Sequence, residues 1–281
     1  MSKTLILKDF KITVIILTFN EEIHIERCIK SINKNVDEII IIDNFSTDKT
    51  IEICSKYKKV RFYKHKFKNH ANQMNWAIRN LKITSKWLIR IDADEIVEKN
   101  FFKKVKKIKN LEKYNALNII IEHNFLGKRI NYGGVYPQYQ IRMWKKGLGF
   151  FDNKPMDEKL IIKRNNIFKS NLKIIDHNLN GLKFWFLKHS RYAKQEAKLY
   201  KFLINKKIKI NRYDKKFLNK IAYYKFPIFL RPILLFIYRF FLKKGFLDGF
   251  NGLKFNFLQT LYYRFLVDIN IAKNFFIKKN K

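Results

Sequence analysis

Through the first 125 residues, apolar runs of strand length alternate with apolar positions at helical spacing. Residues 13–18 (TVIILT) and 38–43 (EIIIID) are continuous, β-branched runs, the pattern of strands buried on both faces. Residues 21–34 put Ile25, Cys28, Ile29 and Ile32 on one helical face, and 48–57 repeat that spacing behind the cap candidates Ser46 and Thr47. A strand at 60–63, a helix at 70–81 and a strand at 87–92 continue the alternation. Strands alternating with helices predict βαβ units, hence an α/β fold with a parallel sheet and right-handed crossovers.

Polar residues stand where these strands end: Asn20 and Glu21 after the first, Asp43 closing the second, Asp92 and Asp94 after the fourth. In open α/β sheets ligands bind at that edge, so the pattern predicts one crevice lined from three strands.

Residues 114–177 carry strand-like pieces at 118–122, 138–144, 158–162 and 172–176, separated by turn-forming glycines. They predict an antiparallel extension of the same domain. From about residue 181 the pattern is helical, with Tyr192, Leu199 and Leu203 on one face. Residues 226–242 are very apolar, but Arg231 and Arg239 interrupt them and Pro227 and Pro232 break their start, so a spanning helix is not expected. Residues 221–281 interleave eleven Lys/Arg with Phe, Tyr and Leu. That mixture suits an amphipathic anchor lying in a membrane surface, or an ordinary helical subdomain.

Composition changes this picture in two ways. The 281 residues are 47% hydrophobic and 16% aromatic, which excludes a disordered chain. Sixty Lys+Arg against 23 Asp+Glu give a formal net charge of +37, favouring polyanionic partners, although an AT-rich genome yields the same bias. The two cysteines, Cys28 and Cys54, lie within helical patterns, and the N-terminus lacks a signal-peptide layout. A reducing cytoplasm without export is the expectation.

Against that basic background, Asp92 and Asp94 form an Asp-x-Asp pair at a strand end, where hard oxygen ligands select Mg²⁺ or Mn²⁺. Asp43 is placed to accept hydrogen bonds from a nucleobase or ribose, with Thr18 and Asn20 beside the same nucleoside.

Together, residues 18–22 (TFNEE), 43–50 (DNFSTDKT) and 92–95 (DADE) resemble the family 2 inverting glycosyltransferases of the GT-A fold, which use nucleotide-diphospho-sugars. Residues 133–144 (GGVYPQYQIRMW), 155–160 (PMDEKL), 188–197 (KHSRYAKQEA) and 245–253 (GFLDGFNGL) are similar to the bacterial lipopolysaccharide-core glucosyltransferase branch. The resemblance implies a Rossmann-like GT-A domain with a mixed sheet over 1–180; the helical region over 181–281 is expected, from its basic and aromatic mixture, to associate with a membrane. The resemblance also implies transfer with inversion from a nucleotide-sugar donor, a UDP-hexose, to a hydroxyl of a glycan or lipid-linked acceptor. Lipopolysaccharide or other cell-surface glycan synthesis would be the setting, on the cytoplasmic face of the inner membrane and its anionic surface.

Residue by residue, the resemblance assigns Thr18, Asn20, Glu22 and Asp43 to the nucleoside and Asp92 to the ribose or diphosphate. Asp94, with Asp92 and His177, would ligate Mg²⁺ or Mn²⁺; for His177 a core position is the alternative. Asn75 would line the donor pocket or make local contacts only. Arg142 would bind phosphate or an acidic acceptor, or form a salt bridge on its strand. Glu158 would be the catalytic base with Asp157 as second candidate, at a position where the family usually shows His-Glu or Glu-Asp.

Three competitors remain. Charge alone favours a polyanion-binding protein without catalysis, but carboxylates at Asp43, Asp92 and Asp94 would repel a phosphate backbone, so nucleic acid is not expected. A non-reacting membrane scaffold would tolerate loss of Asp94. A nucleotidyltransferase would want a Gly-rich phosphate loop that TFNEE does not offer.

Overall fold

The computed structural model describes residues 10–152, 158–204 and 215–279. They form two compact units, one of the described residues within 1–129 and 137–179, the other of those within 130–136 and 180–281.

The first unit is built on a nine-stranded mixed sheet. Its N-terminal half comprises β1 (Ile12–Thr18), α1 (Ile25–Ile32), β2 (Glu38–Asp43), α2 (Thr50–Ser55), β3 (Val60–Lys64), α3 (His70–Asn80) and β4 (Trp87–Arg90). Here β3, β2, β1 and β4 lie side by side and all parallel. The continuous apolar runs follow from burial on both faces. Val14, Ile16, Ile39 and Ile41 pack with α1, while Ile15, Ile40 and Ile42 meet Ala71, Met74 and Ala77 of α3. Each such buried aliphatic side chain contributes about 1.5–3 kcal/mol. Helix α3 begins where the Asn69 side chain accepts a hydrogen bond from the Asn72 amide, a side-chain cap at 2.7 Å.

The second half comprises β5 (Glu95–Val97), α4 (Phe101–Lys106), β6 (Ala116–Phe125), β7 (Lys128–Arg129), β8 (Gln138–Lys145), β9 (Gly149–Phe151), β10 (Leu160–Ile162) and β11 (Ile167–His177). Strand β8 runs antiparallel to β4 and β6, as expected of this region, but β11 runs parallel to β6. The expected antiparallel extension is therefore a mixed one. β11 reaches its parallel slot beside β6 after the β9–β10 hairpin, with β5 antiparallel on its far side.

The second unit is helical: α5 (Leu182–Ile204), α6 (Lys215–Tyr224), α7 (Leu230–Ile237), α8 (Gly249–Asn256) and α9 (Tyr263–Lys279). A π-helical turn at Tyr238–Leu242 prolongs α7, and another at Phe257–Tyr262 leads into α9. The inner stripe of α5 is Ala193, Glu196, Ala197 and Tyr200; of the expected face Leu199 is buried beside it, Tyr192 is only half-buried, and the Leu203 side chain lies outside the described residues. Glu196 is buried because four groups pair with it: the Tyr224 hydroxyl (2.7 Å), the Tyr263 hydroxyl (2.5 Å), Arg264 (2.7 Å) and Lys220 (3.0 Å). Arg231, which reads in the sequence as an interruption of an apolar run, is buried in an ion pair with Asp268 and surrounded by Tyr200, Tyr223 and Tyr224. Two glycines of 245–253 are close-approach positions: a Cβ on Gly245 would meet the Asn256 amide, and one on Gly252 would overlap the Gly245 carbonyl oxygen.

Candidate active site

The parallel register sets Thr18 opposite Asp43, and the Thr18 hydroxyl donates to the Asp43 carboxylate at 2.9 Å. Asp43, fully buried, also accepts the Ser46 amide (2.7 Å) and hydroxyl (2.5 Å). Asn20, in the left-handed region at φ 55°, accepts the Thr47 amide at 2.8 Å while its own amide donates to the Ser46 hydroxyl. Glu22 accepts the Lys49 amide, Asp48 accepts the Glu22 amide, and the Thr50 hydroxyl accepts the Glu21 amide. The polar residues of 18–22 and 43–50 thus satisfy one another's loop backbones and staple two strand-end loops into one surface. Burial opposes the charge of Asp48, yet the Thr50 hydroxyl and the amides around it hold its carboxyl below the ordinary value.

What this stapling turns outward is aromatic: Phe19 and Phe45 are each 53% exposed. Phe45 stands at φ 58°, a conformation a bulky side chain adopts only where its surroundings impose it. Neither was singled out in the sequence; the available signal was a Phe beside the polar strand-end residue in both loops.

Beyond β4 the chain turns at once. The Glu95 amide donates to the Asp92 carbonyl (2.9 Å), and the Asp92 amide donates back to the Glu95 carboxylate (2.8 Å). Arg90, at the end of β4, donates through Nε to Asp92 (2.9 Å) and through Nη1 to Glu158 (3.1 Å), and its guanidinium lies over the Phe151 ring. Arg142, on β8 beside β4, donates to Asp92 (3.3 Å) and to Glu95 (2.7 Å). Burial works against charge on Asp92, but Arg90 and Arg142 outweigh it and hold that carboxyl well below the usual carboxylate range. Burial pushes the carboxyl of Glu95, 3% exposed, well up, against the pull of Arg142. One network therefore joins Asp92, Glu95 and Glu158 through two arginines, and only Arg142 was singled out in the sequence. Asp157, the second base candidate, lies outside the described residues.

Asp94 follows in the same turn. Its carboxylate accepts the Asn178 side-chain amide (2.9 Å), and its carbonyl accepts the His177 amide (3.1 Å), so the end of β11 lies against the Asp-x-Asp loop. Arg27 of α1 clamps that junction, bonding the carbonyls of Asp94 and His177 and approaching His177 Nδ1 at 3.1 Å. Burial, then Arg27, lowers the His177 pKa and favours the uncharged imidazole. Below Arg27, His24 donates through Nδ1 to Glu21 (2.6 Å) and accepts the Leu179 amide on Nε2 (2.9 Å). Asn75 has a different place: its side chain pairs with both the amide and carbonyl of Phe151, at 2.9 and 2.8 Å, fixing the hairpin that leads to Glu158.

The chain resembles known proteins along its length. The profile described as glycosyl transferase family 2 matches residues 13–157. An uncharacterized glycosyltransferase of Rickettsia typhi is 24% identical over 94% of this chain and 86% of its own length. The lipopolysaccharide core biosynthesis glycosyltransferase LpsC of Rhizobium meliloti is 30% identical over 31% of this chain and 33% of its own. Among solved structures, S. aureus TarS 1–349 aligns over 93% of this chain and 89% of its own at 14% identity, TM-score 0.44. With just over half of its 281 residues matched by that profile, the chain belongs to glycosyl transferase family 2.

Proposed function

We propose that this enzyme transfers a hexose with inversion from its UDP conjugate to a hydroxyl of a glycan or lipid-linked acceptor, in lipopolysaccharide or other cell-surface glycan synthesis. It would act as a peripheral protein at the cytoplasmic face of an anionic membrane. The observation that carries the reading is Arg90, which donates to both Asp92 and Glu158 and so brings a hairpin carboxylate to the Asp-x-Asp turn. In a single displacement the acceptor oxygen bonds to the anomeric carbon as the bond to the diphosphate breaks, and a carboxylate must take the acceptor's proton. Glu158 takes it, oriented by Arg90. Phe19 and Phe45 offer rings for the uracil to stack on. Asp43, Thr18, Asn20 and Glu22 hold the loops that present those rings. Arg142 keeps Asp92 in place and Asn75 keeps the hairpin in place, so both act through their neighbours.

The donor set suits a hard divalent cation: Asp94 and Asp92 supply carboxylate oxygens, and His177 is held as uncharged imidazole. The two carboxylates would hold Mg²⁺ or Mn²⁺, with His177 at their margin, and the cation would offset charge on the departing diphosphate. Among the described residues no three His, Cys, Asp or Glu side chains converge into a cage. A cation that takes substrate phosphates and water as its other ligands needs only one or two carboxylates.

The test is Glu158→Gln, assayed for transfer from UDP-hexoses and for UDP binding. Turnover should fall by about 10²-fold or more while UDP affinity is retained; equal losses of both would remove Glu158 from the role of base.

A further inference from the structure

The helical stretch from Leu230 to Leu242 exposes apolar side chains where a surface helix of an ordinary globular domain carries polar ones. Its inward positions include Arg231, paired with Asp268, and Arg239, which donates to the Gly133 carbonyl at 2.7 Å. Its outward positions are Ile233, Leu234, Ile237, Tyr238, Phe241 and Leu242, every one exposed and apolar, Leu242 at 71%. A surface helix normally buries its apolar stripe and exposes its polar one. The following segment continues the same surface with Phe246, Leu247 and Phe250, the last 68% exposed. These elements pack on one another, so the side chains form one face of the helical unit.

Charge identifies the occupant. Between residues 226 and 262 the sequence holds a single acid, Asp248, and its carboxylate is committed to the amides of Asn131 and Tyr132. The cations left at the edge of the face are lysines. Lys243 and Lys244 follow the apolar turn directly, and the ammonium groups of Lys243 and Lys254 lie 5.4 and 4.3 Å from the ring centroids of Tyr238 and Phe250. Lysine stems lying along apolar surface with their heads at its edge match a boundary between acyl chains and phosphate headgroups. A second copy fits poorly, because a two-fold contact would set the lysines of one protomer against those of the other with no acid between them. Among the described residues no helix is long and apolar enough to cross a membrane.

We propose that this face, centred on Phe241, Leu242, Leu247 and Phe250, inserts in-plane into the interface of an anionic phospholipid bilayer. Lys243, Lys244 and Lys254 then lie at the headgroup phosphates. The inference deepens the membrane setting of the proposed function by assigning the surface that makes the contact, and it leaves nucleotide binding untouched.

The experiment uses the full chain with vesicles of phosphatidylcholine alone or mixed with phosphatidylglycerol. The protein should cosediment with the anionic vesicles, and Leu242→Gln/Phe250→Gln should lower its partition coefficient about tenfold or more. Ile161→Gln, which removes an exposed apolar side chain from the other unit, should leave partition unchanged. A Phe250→Trp variant should shift its emission to the blue on anionic vesicles and be quenched by lipids brominated on the acyl chain. Unchanged partition of the double variant, or an unquenched Trp emission while the protein still cosediments, would overturn insertion and leave only adhesion by net charge. A lipid-free dimer abolished by the same two substitutions would overturn it by giving the face to a second copy. UDP titration of the double variant separates the two proposals: retained UDP binding with lost partition isolates the membrane contact.

Discussion

Replacing Arg142 by Met tests how a chain of such positive charge holds a buried carboxylate at its strand ends. The side chains of Arg142 and Glu95 are 6% and 3% exposed, so solvent does little to screen their pairing. Asp92 is 33% exposed and keeps Arg90, so its share of the loss is small. Removing the guanidinium leaves Glu95 buried with the Asp92 amide as donor, and stranding a buried charge in this way costs about 3–5 kcal/mol. At a urea slope of about 2–3 kcal/mol/M the unfolding midpoint should drop by about 1–2 M. The pH dependence has a definite sign. Burial raises the Glu95 carboxyl and Arg142 pulls it back down, so removing Arg142 raises it further; a carboxyl raised by folding loses its contribution to stability as pH rises and regains it as pH falls, and the variant loses more than the parent. The deficit of Arg142→Met should therefore be largest at neutral pH and shrink toward about pH 5, above the unfolded carboxyl value of about 4.3. Asp92 has the opposite shift, so its contribution persists across that range and is lost only in strong acid. Urea denaturation followed by near-UV circular dichroism at both pH values, with Arg142→Met/Glu95→Leu alongside, is the assay. The double variant should recover more than half the loss, since an apolar pair of similar volume replaces a buried ion pair at little cost. A loss below about 1 kcal/mol, or one of equal size at both pH values, would show that Arg142 does not hold a buried charge on Glu95.

Arg27→Gln should raise the His177 pKa toward the ordinary imidazole value, because burial and then the Arg27 charge lower it; an NMR titration of the ring protons reads this, and an unmoved His177 would remove Arg27 from the junction. Gly252→Ala should lower the melting temperature of the helical unit, as its Cβ overlaps the Gly245 carbonyl and sits 2.7 Å from the Asp248 Cβ. Overpacking of this kind costs about 1–3 kcal/mol or more, and an unchanged melting temperature would contradict the packing.

The parallel half of the sheet is legible in the sequence because its strands are buried on both faces and so read as unbroken β-branched runs. Elements set by long-range pairing are less so. Strand β5 is three residues long, and α4 hides its buried Phe101, Phe102 and Val105 among lysines. The parallel placement of β11 beside β6 depends on the hairpin between them, and the inclusion of 130–136 in the helical unit depends on Asp248 and Arg239, residues more than a hundred positions away. At the candidate site, the residue types at the strand ends were legible but their partners were not. Arg90 reads as one polar position in a strand until the β9–β10 hairpin returns Glu158 to it. Arg27 reads as a solvated helix residue until β11 ends against it. Conversely, Arg231 and Arg239 read as interruptions of an apolar run, whereas each is consumed inside the helical unit and the surface left outward is apolar.

Calorimetric titration of the full chain with UDP, with Mn²⁺, after EDTA, and on Asp94→Asn, decides whether the proposed nucleotide-sugar cleft lies at Asp94. UDP binding should require the cation and be lost or severely weakened in Asp94→Asn. Binding that is indifferent to EDTA and to the substitution, or no binding of UDP under any of these conditions, would contradict it.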